Sequence, residues 1–432
     1  MTTTSGLPGL LAELEWRGML HTTTPGLPAR LASGGPIAGY NGFDPSGPSL
    51  HIGSLVPVMG LLHFQRHGGR PVALVGGGTG MIGDPSGRST ERNLLDRDTL
   101  EANVASLRDQ LERFLDFSGE SGALLVNNLD WLASLGLIDF LRDVGKHFTV
   151  PYMLAKDSVQ VRLERGLSFT EFSYMLLQAA DFEHLHRTYG VELQMGGADQ
   201  WGNITAGLEL IRRRARAGED SGIGEPAHGL AYPLLLSPSG AKFGKSEGGD
   251  SVWLDPEMTT PYAFYQHWLN TDDRDVGIYL RWFTLLDRDA IEALEAEQVA
   301  GPEARTAQRT LARDVTARTH GDAAAAHVER VSRAAFAGEP IREPDVLATL
   351  HEATSGFTFS DGGHEGGLVG LLVRAGVFAS NGEARRLISG GGLTVNDERI
   401  TDPAAAVPEL IAGEWLTVRI GKKRLLVGRR AG

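Results

Sequence analysis

The sequence predicts an α/β fold: a doubly wound domain on a parallel sheet, then a helical domain and a small α+β module. Three observations predict it. Short apolar runs alternate with stretches of helical period through the first half of the chain. Loops rich in glycine and polar residues follow the apolar runs. Strand signals vanish from about Thr260 to Phe336 and return only near the end.

The elements follow in order. Residues 8–21 carry Leu10, Leu11, Leu14 and Leu20, a short amphipathic helix. Pro36–Tyr40 reads as a buried strand entering a loop, Asn41–Ser49, full of Gly, Pro, Asp and Ser. Ile52, Leu55, Val56, Met59 and Leu62 then fall at helical spacing, with Pro57 inside the stretch and Gly68-Gly69 ending it. Val72–Val75 is a strand closed by Gly76-Gly77-Gly78. Strand, helix and strand with short connections make a βαβ unit, hence a parallel sheet. A helix Leu100–Leu115, a strand Ala123–Val126, helices Leu129–Val144 and Glu171–Tyr189, and a strand Val191–Met195 before Gly196-Gly197 continue the pattern to about residue 230. Beyond it, Ala304–Arg318 and Ala323–Arg333 are Ala- and Arg-rich helical stretches. Gly338–Gly367 reads as a linker, and the remainder as the small module.

Composition bounds the function. At 432 residues the chain exceeds one ordinary core, and 41% hydrophobic with 22% charged residues excludes wholesale disorder. No apolar run approaches the ~20 residues that span a bilayer, so no membrane role is expected. Met1–Gly18 lacks a basic leader and carries Glu13 and Glu15, which argues against a signal peptide and for a cytoplasmic location. Zero cysteines exclude disulfides and thiolate zinc sites, and no metal ligands are assigned. The net charge of −13 is unevenly spread: Gly366–Gly432 holds ten basic and six acidic residues, a local net of +4. Such an acidic body with a basic end fits either a nucleic-acid contact or a solvated terminal strand.

In an open parallel sheet, ligands bind beyond the carboxyl ends of the strands. Loops 40–54, 76–92 and 194–203 lie there. Glycine admits a ligand close to the backbone, and helix N-termini offer unpaired N–H groups to anions. His51 and Ser54 sit in the first turn after one such loop. Lys242-Phe243-Gly244-Lys245-Ser246 forms a cationic loop between Gly240 and Gly248-Gly249, of the kind that closes over a triphosphate; alone it fits a solvated surface loop equally well. Tyr174, Gln178 and Asp181, at i, i+4 and i+7, share one helix face, which is either solvent-facing or a buried polar pocket.

Tyr40–Ser54 (YNGFDPSGPSLHIGS) is similar to the first signature of the class I aminoacyl-tRNA synthetases in its tyrosyl form, and Lys242–Ser246 resembles the second. Gly76–Gly87 (GGGTGMIGDPSG) and Gln194–Asn203 (QMGGADQWGN) resemble stretches of the tyrosyl enzymes. Gly382–Ile388 (GEARRLI), Gly390–Val395 and Asn396-Asp397 resemble the S4-type RNA-binding fold. The resemblance implies a Rossmann-like catalytic domain over 1–235, a mobile ATP-binding loop over 236–254, a helical anticodon-binding domain over 255–337, a linker over 338–365 and an S4-like RNA-binding domain over 366–432. It implies activation of tyrosine with ATP, accompanied by Mg²⁺, then transfer to the 3′ end of tRNA(Tyr), by a homodimer. A tryptophanyl enzyme and a non-catalytic RNA-binding relative are the alternatives.

Residue by residue, the resemblance assigns catalysis to His51, Lys242, Lys245, Arg88 and Arg92. Tyr40 and Asp181 would bond the substrate phenol, Asp84, Tyr174 and Gln178 its ammonium group, and Gln200 the tyrosyl portion. Asp44, Ser46, Gly53, Ser54, Gly197, Asp199 and Ser246, with His51, Lys242 and Lys245, would contact ATP. Arg385, Arg386, Lys422, Lys423 and Arg424 would contact RNA. Ser54 stands where a second histidine is frequent, Arg88 where lysine is expected, and Asn41 where cysteine is frequent.

Overall fold

Six strands organise the first part of the chain: β1 Thr22–Thr23, β2 Ala38–Phe43, β3 Arg70–Val75, β4 Leu124–Asn127, β5 Val191–Gly197 and β6 His228–Tyr232. Their order is β1-β6-β5-β2-β3-β4, with β2 through β6 parallel and β1 antiparallel at the edge. The chain runs outward from β2 to β4, then returns to the other flank of β2 as β5 and β6. The order therefore reverses between β2 and β5, where such sheets open a ligand crevice at their carboxyl ends. The computed structural model describes residues 6–84, 95–156, 159–160, 163, 166–219, 226–235, 243, 251–337, 340–354, 356–360, 366–421 and 424–431. The chain divides into two units, Met1–Thr259 with Thr271–Leu311, and Thr260–Asn270 with Ala312–Gly432.

In the first unit, α1 Leu10–Trp16, α2 Leu27–Ala32, α3 Leu55–Arg66, α4 Arg97–Leu111, α5 Leu129–Leu132, α6 Leu137–Asp143, α7 Val150–Leu154, α8 Phe169–Tyr189 and α9 Trp201–Arg216 surround the sheet. The parallel α/β architecture is the one expected. Pro57 does not interrupt α3, because it falls in the first turn, where no N–H bond is lost. The helix expected over Leu129–Val144 is two helices, parted where Gly136 is extended (ψ 142°). Two strands absent from the sequence reading, β1 and β6, complete the sheet. α8 is the longest helix and is fixed at both ends. The Ser168 hydroxyl accepts the Glu171 amide at 3.2 Å, and Gly190 takes the left-handed conformation (φ 65°) that stops it. Buried Tyr40, Val72, Leu74, Phe182, Leu185 and Val191 pack α8 onto the sheet.

The first unit also holds α11 Val276–Phe283, α12 Arg288–Ala300 and the first residues of α13 Thr306–His320, whose remainder is assigned to the second unit; all follow α10 Pro261–Leu269 in sequence. Arg17, almost wholly buried, ties α11 to the N-terminal helix. Its guanidinium donates to the carbonyls of Arg281 (2.7 Å), Thr284 (3.0 Å) and Leu286 (2.7 Å) and to Glu13 (2.7 Å). A buried cation is tolerated because its donors are spent on such acceptors.

The second unit contains α10, α14 Asp322–Ala337, α15 Pro344–Ala353, α16 Gly367–Arg374, α17 Asn381–Ser389 and a sheet of β7 Phe357–Phe359, β8 Leu393–Val395, β9 Glu398–Ile400, β10 Trp415–Ile420 and β11 Arg424–Arg430, in the order β7-β11-β10-β8-β9. The stretch read as a linker is therefore structured in part. Pro344 opens α15, whose Val346, Leu347 and Leu350 are buried, and β7 pairs parallel to β11. Among the described residues no helix is long and apolar enough to cross a membrane.

Candidate active site

A cavity of about 350 Å³ opens at the carboxyl ends of β2 and β5, at the reversal of strand order. Three sets of side chains converge on it. The end of β2 and its loop supply Tyr40, Asp44, Ser46, His51, Gly53 and Ser54. The face of α8 supplies Tyr174, Gln178 and Asp181, so its polar stripe is an inward pocket wall rather than a solvent face. The end of β5 supplies Gly197, Asp199 and Gln200, and the loop after β3 supplies Asp84. Of the residues assigned to small-molecule binding or catalysis, every described one lines this cavity. Arg88, Arg92, Lys242, Lys245 and Ser246 lie outside the described residues.

One hydrogen-bonded chain runs along the wall. The Tyr174 hydroxyl donates to Asp44 Oδ2 at 3.1 Å, and Thr79 Oγ1 donates to Asp44 Oδ1 at 3.1 Å. Asn128 Nδ2 lies 2.9 Å from Thr79 Oγ1 and 2.8 Å from Asp181 Oδ2, while Trp131 Nε1 donates to Asp181 Oδ1 at 2.8 Å. The glycines of the β3 loop make room for it. A β-carbon on Gly76 would lie 2.3 Å from Asp44 Oδ1, and one on Gly77 2.4 Å from Asn127 Oδ1. The amides of Gly77 and Gly78 donate to Asn127 Oδ1 (3.2 Å) and Asn128 Oδ1 (2.7 Å). Asn128 and Trp131 escaped the sequence reading, and Thr79 entered it only as part of the Gly76–Gly87 motif, without a role.

A second cluster holds the other wall. Gln200 Nε2 donates to Asp84 Oδ2 at 2.6 Å, Gln178 Nε2 to Gln200 Oε1 at 3.3 Å, and Asn203 Nδ2 to Gln178 Oε1 at 3.0 Å.

Two groups at the deep end are electrostatically unusual. Burial pushes the Asp181 carboxyl up to about 7, with Asp44 adding to the rise, while the bonds from Asn128 and Trp131 pull it back. The Tyr40 hydroxyl is buried with no hydrogen-bond partner among the described residues. Burial and then the Asp181 charge hold that phenol well above its ordinary range, so it stays protonated and keeps a donor to give. An unpartnered buried hydroxyl is costly, and Tyr40 lines the cavity, where a polar ligand atom can reach it.

At the mouth, His51 caps the turn Ile52–Ser54. Its Nδ1 accepts the Gly53 amide at 3.0 Å, and Ser54 Oγ lies 3.4 Å from the His51 amide. Because Nδ1 accepts, Nε2 carries the ring proton. Glycine at position 53 lets the His51 ring sit where it does, since a β-carbon there would lie 2.7 Å from it. Trp253 stands edge-on to that ring at 6.2 Å, and Ile52 and Leu254 exchange backbone bonds with Val252 (3.0 Å) and Leu50 (2.9 Å). Residues 252–254, which follow Lys242–Ser246 in sequence, are thus stitched to the segment that carries His51. Phe243, between the two lysines in sequence, stacks on Phe283 (5.2 Å) and meets Tyr279 edge-on (5.1 Å), both on α11. Asn41 is buried and donates to the Pro57 carbonyl at 3.1 Å, a structural role at that position.

In the second unit, Arg385 and Arg386 are exposed on α17, whose Ala384 and Ile388 are buried. Arg424 is exposed at the start of β11, and Lys422 and Lys423 lie outside the described residues.

This geometry agrees with the chain's likeness to known proteins. A family model described as tRNA synthetases class I (W and Y) matches residues 32–337, and one described as the tyrosine--tRNA ligase SYY-like C-terminal domain matches residues 353–427. The chain is 52% identical to the tyrosine--tRNA ligase of Anaeromyxobacter dehalogenans (strain 2CP-C), over 96% of this chain and 98% of the relative. It is 49% identical to that of Geobacillus stearothermophilus, over 98% of this chain and 100% of the relative. Among solved structures, a C-terminally truncated mitochondrial tyrosyl-tRNA synthetase from Coccidioides posadasii superposes with a TM-score of 0.65 at 32% identity, covering 74% of this chain and 91% of that one. By both family models and near full-length identity, the chain belongs to the class I tRNA synthetases, in their tyrosine--tRNA ligase branch.

Proposed function

We propose that this cavity binds tyrosine with its phenol between Asp181 and Tyr40, and that the chain joins tyrosine to ATP and then to tRNA(Tyr). The observation that carries this reading is the deep end of the pocket, where a buried carboxylate and an unpartnered buried hydroxyl stand together. A phenol donates its proton to Asp181 and accepts one from Tyr40. Phenylalanine leaves both unpaired, which costs far more than a missing methylene, a rule best known from the tyrosine enzymes themselves. Asp84, Tyr174 and Gln178 hold the ammonium group, and Gln200 the tyrosyl portion.

Activation needs no general base, because the nucleophile is already a carboxylate. It attacks the α-phosphorus of ATP in line and pyrophosphate leaves. The terminal ribose hydroxyl of tRNA then attacks the carbonyl of the mixed anhydride, and AMP leaves. Positioning and charge stabilisation carry both steps. His51 presents Nε2–H to the phosphates, with Lys242, Lys245, Arg88 and Arg92 neutralising developing charge. Asp44, Ser46, Gly53, Ser54, Gly197, Asp199 and Ser246 contact ATP, whose phosphates bring Mg²⁺ with them. Residues 236–254 form the ATP loop, the helices of 255–337 meet the anticodon arm, and Arg385, Arg386, Lys422, Lys423 and Arg424 of the S4-like segment 366–432 contact tRNA phosphates. Leu137 (70% exposed), Ile138 (72%) and Phe169 (76%) leave an apolar surface beside the buried cluster around Val144 and Met175; a second copy of the chain covers it.

The test is exchange of labelled pyrophosphate into ATP. Exchange should depend on tyrosine; exchange driven by tryptophan and not by tyrosine would overturn the substrate assignment.

A further inference from the structure

Resting on the assignment of Asp181 to the substrate phenol, we propose that His184, outside the cavity, is a positioning residue for tyrosine selection and acts through Trp131. The Trp131 indole is gripped at two points by one face of α8. Its Nε1 donates to Asp181 Oδ1 at 2.8 Å, and its face lies against the His184 ring, with centroids 4.4 Å apart and planes 16° from parallel. Asp181 and His184 are i and i+3 on that helix, so the carboxylate and the stacking surface are one turn apart and move together. Tyr189 lies tilted to the His184 ring, with centroids 6.1 Å apart.

Trp131 needs this grip. It belongs to α5, only four residues long, and Ala133–Asp139 beyond it are exposed. Trp131 also packs against the buried cluster around Tyr40 and Leu185; removing the stack leaves the indole only that packing and its bond to Asp181, and loosens its orientation. The bond from one of the two N–H donors of Asp181 is then weakened, and the carboxylate that receives the phenol loses its fixed orientation. Burial, reinforced by the Arg187 charge, holds the His184 imidazole below its ordinary range, so the stack at neutral pH is between neutral rings. His184 touches neither substrate nor reacting atoms, so its loss alters selection rather than chemistry.

The experiment is tyrosine-dependent pyrophosphate exchange on the full chain carrying His184→Ala, His184→Phe or Asp181→Asn, with tyrosine and ATP varied separately. His184→Ala should raise KM for tyrosine about threefold to tenfold and lower the preference over phenylalanine by a similar factor, the size of one aromatic contact. KM for ATP and kcat should stay within about twofold, which also reports a folded site. His184→Phe keeps a flat ring and should restore KM for tyrosine. An unchanged KM in His184→Ala, or a His184→Phe as impaired as His184→Ala, overturns the inference while Asp181→Asn still raises KM. If Asp181→Asn also leaves KM for tyrosine unchanged, the phenol assignment itself is wrong and this inference falls with it.

Discussion

Alanine at Gly53 should disable His51 without touching it chemically. A β-carbon at that position lies 2.7 Å from His51 Cε1 and 2.9 Å from Nδ1, both inside any real contact distance. The ring cannot yield while Nδ1 still accepts the Gly53 amide at 3.0 Å, so it swings out. The lost bond is worth about 0.5–1.5 kcal/mol, a modest change in stability. The lost position costs more. A preorganised donor facing developing charge supplies about 10²–10³ in rate, so Gly53→Ala should lower kcat for pyrophosphate exchange about 100-fold. KM for tyrosine should change by less than about twofold, because the phenol end is built from other elements. The assay is a double-mutant cycle with His51→Ala. If the alanine acts through the ring, adding it to His51→Ala costs less than about twofold further. Additive losses would mean that Gly53 acts by its own contact with ATP, and the steric reasoning would be refuted.

The Asp181 carboxyl titrates at about 7 in the fold against an ordinary 3.8, so the ionised form is the disfavoured one. Stability of the free protein should therefore fall as pH rises from about 4 through about 7, and Asp181→Asn should flatten that slope in denaturant melts. With the carboxylate accepting the phenol's hydrogen bond as proposed, tyrosine affinity by titration calorimetry should rise across the same window in the parent chain and not in Asp181→Asn. Arg385→Ala with Arg386→Ala should weaken tRNA binding and reduce the salt slope by about one per lost phosphate contact, leaving pyrophosphate exchange unchanged. Ile138→Asp should convert the proposed dimer to a monomer by light scattering; an unchanged mass would remove the apolar surface of α6 as the contact.

What was legible in the sequence is what local chemistry dictates. The glycine loops stand out because side chains do not fit there, as the 2.3 Å approach to Gly76 demonstrates. The polar spacing of Tyr174, Gln178 and Asp181 is legible because one helix carries all three. Asn128 and Trp131 are not, since they meet Asp181 from 53 and 50 residues away, and locally one reads as a loop residue and the other as part of an ordinary helix. β6 was missed because His228-Gly229 opens it and leaves only Leu230-Ala231-Tyr232 as an apolar run, although all five residues are buried. α15 and β7 were missed because the Gly- and Asp-rich stretches beside them set the tone of the whole segment, while Val346, Leu347 and Leu350 are buried by distant partners.

The capping of α8 at Ser168 and Gly190 makes it more than a scaffold. Tyr174 and Asp181 are seven positions apart on one rod rising about 1.5 Å per residue, so the groups proposed for the two ends of the substrate are graduations about 10 Å apart on a rigid ruler. A site calibrated this way measures length as well as polarity. An amino acid with the right hydroxyl on a shorter or longer stem meets one mark and misses the other, and no shift of a flexible loop can correct the error.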